Sequence, residues 1–380
     1  MQILQMVMAE TLAAGGVCQK SFCLECTEGG GPMVHVFESK LRYIEARAMT
    51  SEDIWNRIAT ELMSSELRDG DRCKFVAFLS WTRYQGDGVR PTMHSEVMKR
   101  VTGHAMVGAG GLALCGTGCL YTWAQNVDEL SWRLYDTRQV DRLHFMDDSN
   151  YRGTLSSCYS STLGGVLHEL GHTFGLGHTA DGIMGHGFHD ISCIYTVSAD
   201  DSEMVANYVS APATQSLGSG DVIKENPPLL GKIRLTTLEP KKSRDLAAHI
   251  QSPKSSTSGA KWTRSCAIIL SYHPWLNISR TSNDAGSIQF HNEQRLTSPH
   301  GIRLVEFRRA EDAMVIDYWE FPEGAEEVCI EARKLHFLQS PTSVPSLEQK
   351  QEFSDIDSLY VFAIDTAGNI LGRNINVPLN

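Results

Sequence analysis

No apolar run in this sequence approaches the roughly twenty residues needed to cross a bilayer as a helix, which excludes a helical membrane span. Basic charge is also scarce. Lysine and arginine number 34 against 45 aspartates and glutamates, giving a formal net charge of -11. That excess repels nucleic acid and anionic membrane surfaces unless basic residues cluster locally. The densest basic stretch, KKSRDLAAHIQSPKSSTSGAKWTR from Lys241 to Arg264, is serine-rich and interrupted, and reads as a solvated loop rather than a phosphate-binding face. A regular cysteine framework is missing too. The ten cysteines are irregularly spaced, and the C-x-x-C of Cys23 and Cys26 has no second pair with which to build a zinc ribbon. Isolated free thiols are expected.

The N-terminus MQILQMVMAETLAAGG lacks the basic n-region of an export signal and carries Glu10 inside its apolar part. Ile3, Leu4, Val7, Met8 and Leu12 instead fall on one stripe, as an amphipathic core helix requires. The expected location is cytoplasmic, where the glycosylation sequon Asn277-Ile278-Ser279 is inert. No internal repeat of fixed period is present.

What the chain does have is length and apolar content. Its 380 residues, 42% of them hydrophobic, can bury a sizeable core and correspond to about two domains. TSEDIWNRIATELMSSEL places Ile54, Trp55, Ile58 and Leu62 on one helical face after a Thr50/Asp53 capping box. KFVAFLSWTRY, from Lys74 to Tyr84, reads as a strand buried on both faces at the centre of a sheet. The glycine-rich run from His104 to Trp123 reads either as an irregular loop or as a substrate-facing edge strand, because glycine lets another backbone approach closely. STLGGVLHELGHTFG reads as a helix with Leu163, Val166, Leu167, Leu170 and Phe174 toward the core, and ADDSEM begins a further helix ending near Tyr208. SAPATQSLGSGD, from Ser210 to Asp221, is the best linker. Short strand-like runs follow it: GKIRLTTL, SCAIILSYH, GIRLVEFRR, AMVIDYWEF, EEVCIEA, LYVFAIDT and ILGRNINV, a rhythm that suggests an all-β sandwich.

The chemistry concentrates in HELGHTFGLGHTADGIM, from His168 to Met184. Two histidines at i and i+4 of a helix aim their imidazoles at one point and can chelate one cation, as His168 and His172 would. A catalytic zinc needs a third ligand and an open position, so the chain must turn sharply. Gly175 permits the turn and His178 arrives as the third ligand. Glu169, beside the first ligand, is placed to act as general base toward a zinc-activated water rather than to bind metal. From the chain's own composition the five fixed positions should coincide by accident in roughly one such sequence in ten thousand. His186 and His189 are weighed as oxyanion stabilisers against exposed loop histidines, and Asp147 and Asp148 as calcium or outer-sphere groups against turn formers; the plainer reading is expected for each.

These residues match HExxHxxGxxH, the signature of the metzincin clan of zinc endopeptidases, with Met184 standing where the clan has its Met-turn. FVAFLSWTRY, GGLALCGTGCLYTW, LHELGHTFGLGHT, GIMGHGF and, more weakly, KWTRSCAIILSYHPWLN together resemble a family of zinc metallopeptidases of fungi and animals, some fungal members of which carry a jacalin-like domain. Members of that family usually carry further sequence upstream, so a truncated or alternative form is expected of this chain. The resemblance implies a metzincin-like zinc peptidase catalytic domain, over residues 1–212; with the linker and the strand rhythm beyond it, the expected fold is α+β, the catalytic domain being followed by an all-β, sandwich-like C-terminal domain over residues 219–380. It implies a zinc metalloendopeptidase with one Zn2+ per chain, acting on a peptide or protein substrate. Because metzincins hold peptides by strand addition, Gly110, Gly111, Leu112 and Ala113 are expected to contact the substrate backbone. The alternative is a non-catalytic zinc-containing binding module whose β domain recognises a protein or a glycan; Glu169, which a structural site does not need, favours the enzyme.

Overall fold

The structure, a computed structural model, describes residues 1–68, 73–194, 259–277, 286–292, 294–330 and 358–376. The first half holds helices α1 (Gln2–Ala14), α2 (Tyr43–Ala46), α3 (Ser51–Met63), α4 (His94–Met98), α5 (Leu130–Leu134) and α6 (Leu155–Thr173). Its strands are β1 (Phe75–Leu79), β2 (Arg83–Tyr84), β3 (Val101–Thr102), β4 (Met106–Ala109) and β5 (Leu112–Gly116). Helix α1 forms on the expected stripe, with Leu4, Val7, Met8 and Leu12 buried. Helix α3 starts where its capping box predicts: the Thr50 hydroxyl oxygen accepts the N–H of Asp53 at 3.1 Å, and Ile54, Ile58 and Leu62 are buried.

β1, β5 and β4 form one sheet in that order, β1 running parallel to β5 and β4 antiparallel to it. The expectation that FVAFL lies at the sheet centre is therefore corrected: among the described residues β1 flanks the sheet, and the middle strand comes from the glycine-rich run. Gly110, at φ +52°, and Gly111 turn that run into a tight β4–β5 hairpin. Leu112 pairs with Phe75 on one side and Ala109 on the other; Ala113 pairs with Val76 and Gly108. Both edges of β5 are taken, so Leu112 and Ala113 cannot receive a substrate strand, and among the described residues the unpaired edge beside the helix belongs to β4.

Beyond residue 258 come helix α7 (Arg264–Tyr272) and strands β6 (Gln289–His291), β7 (Arg295–Arg309), β8 (Val315–Cys329), β9 (Ser358–Asp365) and β10 (Ile370–Asn376). SCAIILSYH, expected as a strand, is helix α7. Six consecutive residues from Ser265 to Leu270 are buried, so the run carried no polar face from which a helical period could be read. The other runs form one antiparallel sheet of order β10-β9-β7-β6, with β8 also on β7; AMVIDYWEF and EEVC merge in the single strand β8. Among the described residues this is one sheet, not the expected two-sheet sandwich. GKIRLTTL and the helix expected from ADDSEM lie outside the described residues.

The expected boundary between residues 212 and 219 also lies outside them. On either side of it the described residues share one core and fall in one compact unit, residues 1–198 with 258–380. Leu304, Phe362 and Ile364 of the sheet and Cys266, Ile268 and Leu270 of α7 pack with Leu4, Leu167, Leu170 and Phe174. Strand alternation explains this: Leu304 of β7 faces that core, while Val305 and Phe307 face a second core on the opposite side. No helix among the described residues is long and apolar enough to cross a membrane.

Candidate metal centre

Helix α6 is capped by Thr154, whose hydroxyl accepts the Ser157 N–H at 3.2 Å, and it buries Leu163, Val166, Leu167 and Leu170 as expected. His168 and His172 project from its last turns. After Thr173 the chain leaves the helix through Gly175 at φ +73°, with Leu176 N–H donating to Gly171 O at 3.2 Å and Gly175 N–H to His172 O at 2.9 Å, a Schellman motif. A side chain at Gly175 would be strained by that φ and would press on Phe362 at 3.1 Å. Two residues after Leu176, His178 reaches the same point in space as the helical pair.

The Nε2 atoms of His168 and His178 each lie 3.1 Å from Nε2 of His172, and the three ligand atoms are all within 4.8 Å of one another. Every Nδ1–H is tied to a backbone carbonyl: His168 donates to Ile183 O at 2.8 Å, His172 to Leu176 O at 3.0 Å and His178 to Asp312 O at 2.7 Å. Protons held on Nδ1 leave three bare Nε2 lone pairs facing one another, which repel unless a cation sits between them. The two 3.1 Å separations are close to the about 3.3 Å between nitrogens of a tetrahedral zinc with Zn–N bonds of about 2.0 Å. Among the described residues no fourth histidine, cysteine or carboxylate joins the cluster, the donor count of an open, catalytic type of site. Burial lowers the pKa of His168 to about 3 and that of His172 to about 4, so both rings stay neutral and ready to bind metal at neutral pH.

That neutrality predicts a pH dependence of the metal-free chain. The folded-state pKa values lie below the unfolded value near 6.5, so the unfolded state takes up protons first as pH falls. The stabilisation is full above pH 6.5 and is lost on descending toward 4 and 3, by about 1 kcal/mol per pH unit for each ring. Urea unfolding of metal-free protein should show a midpoint that drops steadily between pH 6.5 and 4.5; a flat profile there would contradict the buried, neutral triad.

Glu169 sits between the two helical ligands without joining them. Burial raises its pKa to about 7, against the opposing effect of a hydrogen bond from the backbone N–H of Gly108. β4 is pressed directly on the helix at this point: a Cβ on Gly108 would lie 2.0 Å from Glu169 O. Met184 is buried beneath the helix, in the turn closed by Gly185 N–H to Gly182 O at 3.0 Å. Its Sδ lies where a side chain on Gly171 would reach, 2.5 Å away, and its neighbour Ile183 supplies the carbonyl that holds His168.

The structure thus brings together His168, Glu169, His172, His178 and Met184. Gly110 and Gly111 lie at the hairpin tip with no atom within 4 Å of an added Cβ, and Leu112 and Ala113 are buried in the middle strand. His189 is turned to Ser161, its Nδ1 3.1 Å from the hydroxyl, and His186 stacks on it at 6.3 Å; neither belongs to the ligand cluster. Asp147 accepts from Arg142 at 2.7 Å and from Ser149 N–H at 3.0 Å, a loop-forming role, while Asp148 meets His94 at 3.1 Å.

What the sequence did not show is the part played by the β7–β8 hairpin, 134 residues from the third ligand. Besides the Asp312 carbonyl, it binds the His178 backbone on both sides: His178 N–H donates to Ala313 O at 3.0 Å and Val315 N–H to His178 O at 2.8 Å. Arg308, buried and paired with Glu306 at 2.6 Å, donates to Gly175 O at 2.8 Å, and its guanidinium lies 4.3 Å over the Phe362 ring. The sheet therefore steadies both the turn and the ligand. Backbone carbonyls leave no mark in a sequence; Gly108 was signalled only as one glycine among several.

A family model described as "Putative peptidase family" matches residues 1–217. A protein of Saccharomyces cerevisiae named as a putative zinc metalloproteinase is 33% identical over 94 residues, 24% of this chain and 14% of that protein. A Schizosaccharomyces pombe protein of the same description is 29% identical over 97 residues, 24% of this chain and 16% of that protein. The aligned stretches thus span about one sixth or less of these relatives. Among solved structures, OgpA of Akkermansia muciniphila overlays with a TM-score of 0.45 at 11% identity, covering 98% of this chain and 83% of that one. Its catalytically inactive form in complex with an O-glycopeptide overlays with a TM-score of 0.46 at 10% identity, covering 98% and 84%. Matched over more than half its length by the family model, this chain belongs to that metallopeptidase family.

Proposed function

We propose that this chain is a metzincin-like zinc endopeptidase with one zinc per chain held by His168, His172 and His178. The observation that carries this reading is the convergence of three Nε2 atoms, each with its Nδ1 tied to a carbonyl, beside a carboxylate that is not a ligand. When bound there, zinc supplies Lewis acidity toward water and the scissile carbonyl. Glu169 accepts the proton of the attacking water and passes it to the leaving amine; a carboxyl pushed up to about 7 by burial is matched to both halves of that transfer near neutral pH. The Gly108 N–H favours the ionised carboxylate and so opposes that rise. β4 takes the substrate: one side is bonded to β5, and no strand among the described residues covers the other, so an extended peptide can add there. Met184 provides the buried floor under the ligands, in the place of a Met-turn.

The reading predicts that hydrolysis of an end-blocked peptide library by metal-free protein rises with added zinc and saturates near one equivalent. Blocked ends admit internal cleavage alone, which separates an endopeptidase from an aminopeptidase. Saturation with no cleavage, or cleavage only of peptides with free amino termini, would overturn the assignment.

A further inference from the structure

One turn before Glu169 on α6, a recess of about 360 Å³, open solvent at its mouth included, lies between the helix, the start of β4 and the end of β5. Phe78, Met106, Trp123 and Val166 give it apolar walls, and His104, Thr162 and Asp148 supply polar lining. We propose that this recess is a specificity subsite that takes the side chain just beyond the scissile bond, and that Asp148 selects there for a basic residue, lysine or arginine. The proposal rests on the peptidase reading above and adds a substrate class to it.

Position comes from strand direction. Gly165 of α6 faces Met106, and Glu169 faces Gly108, so β4 and α6 run the same way past the cleft. A peptide added antiparallel to β4, the more stable ladder, has its N-terminal half beside Ala109 and its C-terminal half beside Met106. The residue that follows the cleaved bond then lies over the recess. Val166 to Glu169 is one helical turn, about 4.5 Å of rise, within the reach of one side chain.

Charge comes from Asp148, the one carboxylate among the lining residues. Its Oδ1 is engaged by His94 at 3.1 Å, and its Oδ2 takes no hydrogen bond among the described residues. Burial opposes its ionisation, but the His94 hydrogen bond and the surrounding histidines hold its carboxyl below the usual range. Burial acts on His104 and His189 in the other direction, lowering both, whereas the hydrogen bond to Asp148 raises His94, so His94 is the ring that shares the carboxylate's charge. Apolar walls around one free carboxylate oxygen suit a long aliphatic stem ending in a cation. The net charge of -11 favours the approach of such a substrate as well.

The test uses zinc-loaded full-length chain and peptidic hydroxamates that chelate the metal and carry lysine, norleucine or glutamate as the first side chain on the leaving-group side. Norleucine keeps the stem and removes the cation. The lysine compound should bind about tenfold tighter than the norleucine compound, and glutamate weakest. Asp148→Asn should collapse the lysine-to-norleucine ratio toward one. Equal or reversed affinities in the wild type, or a ratio unmoved by Asp148→Asn, overturn the recess assignment alone. If no hydroxamate binds the zinc-loaded chain, the peptidase reading falls and takes the subsite with it. The wild-type comparison decides even if the variant folds poorly.

Discussion

Gly108→Val should reduce peptide hydrolysis about 100-fold or more, whereas Gly111→Val, three residues along the same hairpin, should leave it close to wild type. The two glycines look equivalent in the sequence and differ in what surrounds them. A Cβ at Gly108 would meet three backbone atoms of the proposed general base, Glu169 O at 2.0 Å, C at 2.6 Å and Cα at 2.8 Å, none of which can swing aside. β4 would have to lift from α6, withdrawing the N–H that holds the Glu169 carboxylate and moving the substrate edge relative to the metal. A Cβ at Gly111 meets nothing within 4 Å and needs no left-handed backbone. Steady-state kinetics on one peptide, with melting temperatures for both variants, would check this. An active Gly108→Val beside a dead Gly111→Val would mean that β4 is not the edge of the cleft.

His172→Ala should lose zinc and activity together. His172 is the middle donor, its Nε2 within 3.1 Å of both other ligand nitrogens, so its removal leaves two nitrogens at the far ends of the cluster. Its Nδ1 bond to Leu176 O also closes the turn that delivers His178, so the third ligand loses part of its support. Metal analysis after dialysis should fall from about one zinc per chain to near zero, and excess zinc should not restore hydrolysis. A variant that keeps a full equivalent of zinc would place the metal elsewhere.

The centre was legible in the sequence because its side chains come from one continuous stretch. Helix spacing sets His168 and His172 on one face, and Gly175 is the residue whose positive φ returns the chain with His178. The hairpin that binds His178 acts through the carbonyls of Asp312 and Ala313, and any residue type offers a carbonyl. Glu306 and Arg308 read as alternate polar positions of a strand. Only the fold shows that they share a face with Leu304 and reach the Gly175 carbonyl. The glycine run did not show its own turn, and the position of that turn at Gly110 and Gly111 decides which half is the middle strand. SCAIILSYH was ambiguous in principle: a short run buried on all sides has no period to read. β7, β9 and β10 form where short apolar runs bounded by turn residues place them.

The most direct measurement compares Glu169→Gln with wild type at matched zinc occupancy. Glutamine keeps the shape and can still accept the Gly108 hydrogen bond through its carbonyl oxygen, but it cannot take a proton from water. The account predicts about one zinc per chain and a near-wild-type melting temperature, with hydrolysis of end-blocked peptides lower by about 100-fold or more. If the variant cleaves at the wild-type rate with its zinc in place, Glu169 is not the base, and the central claim is contradicted.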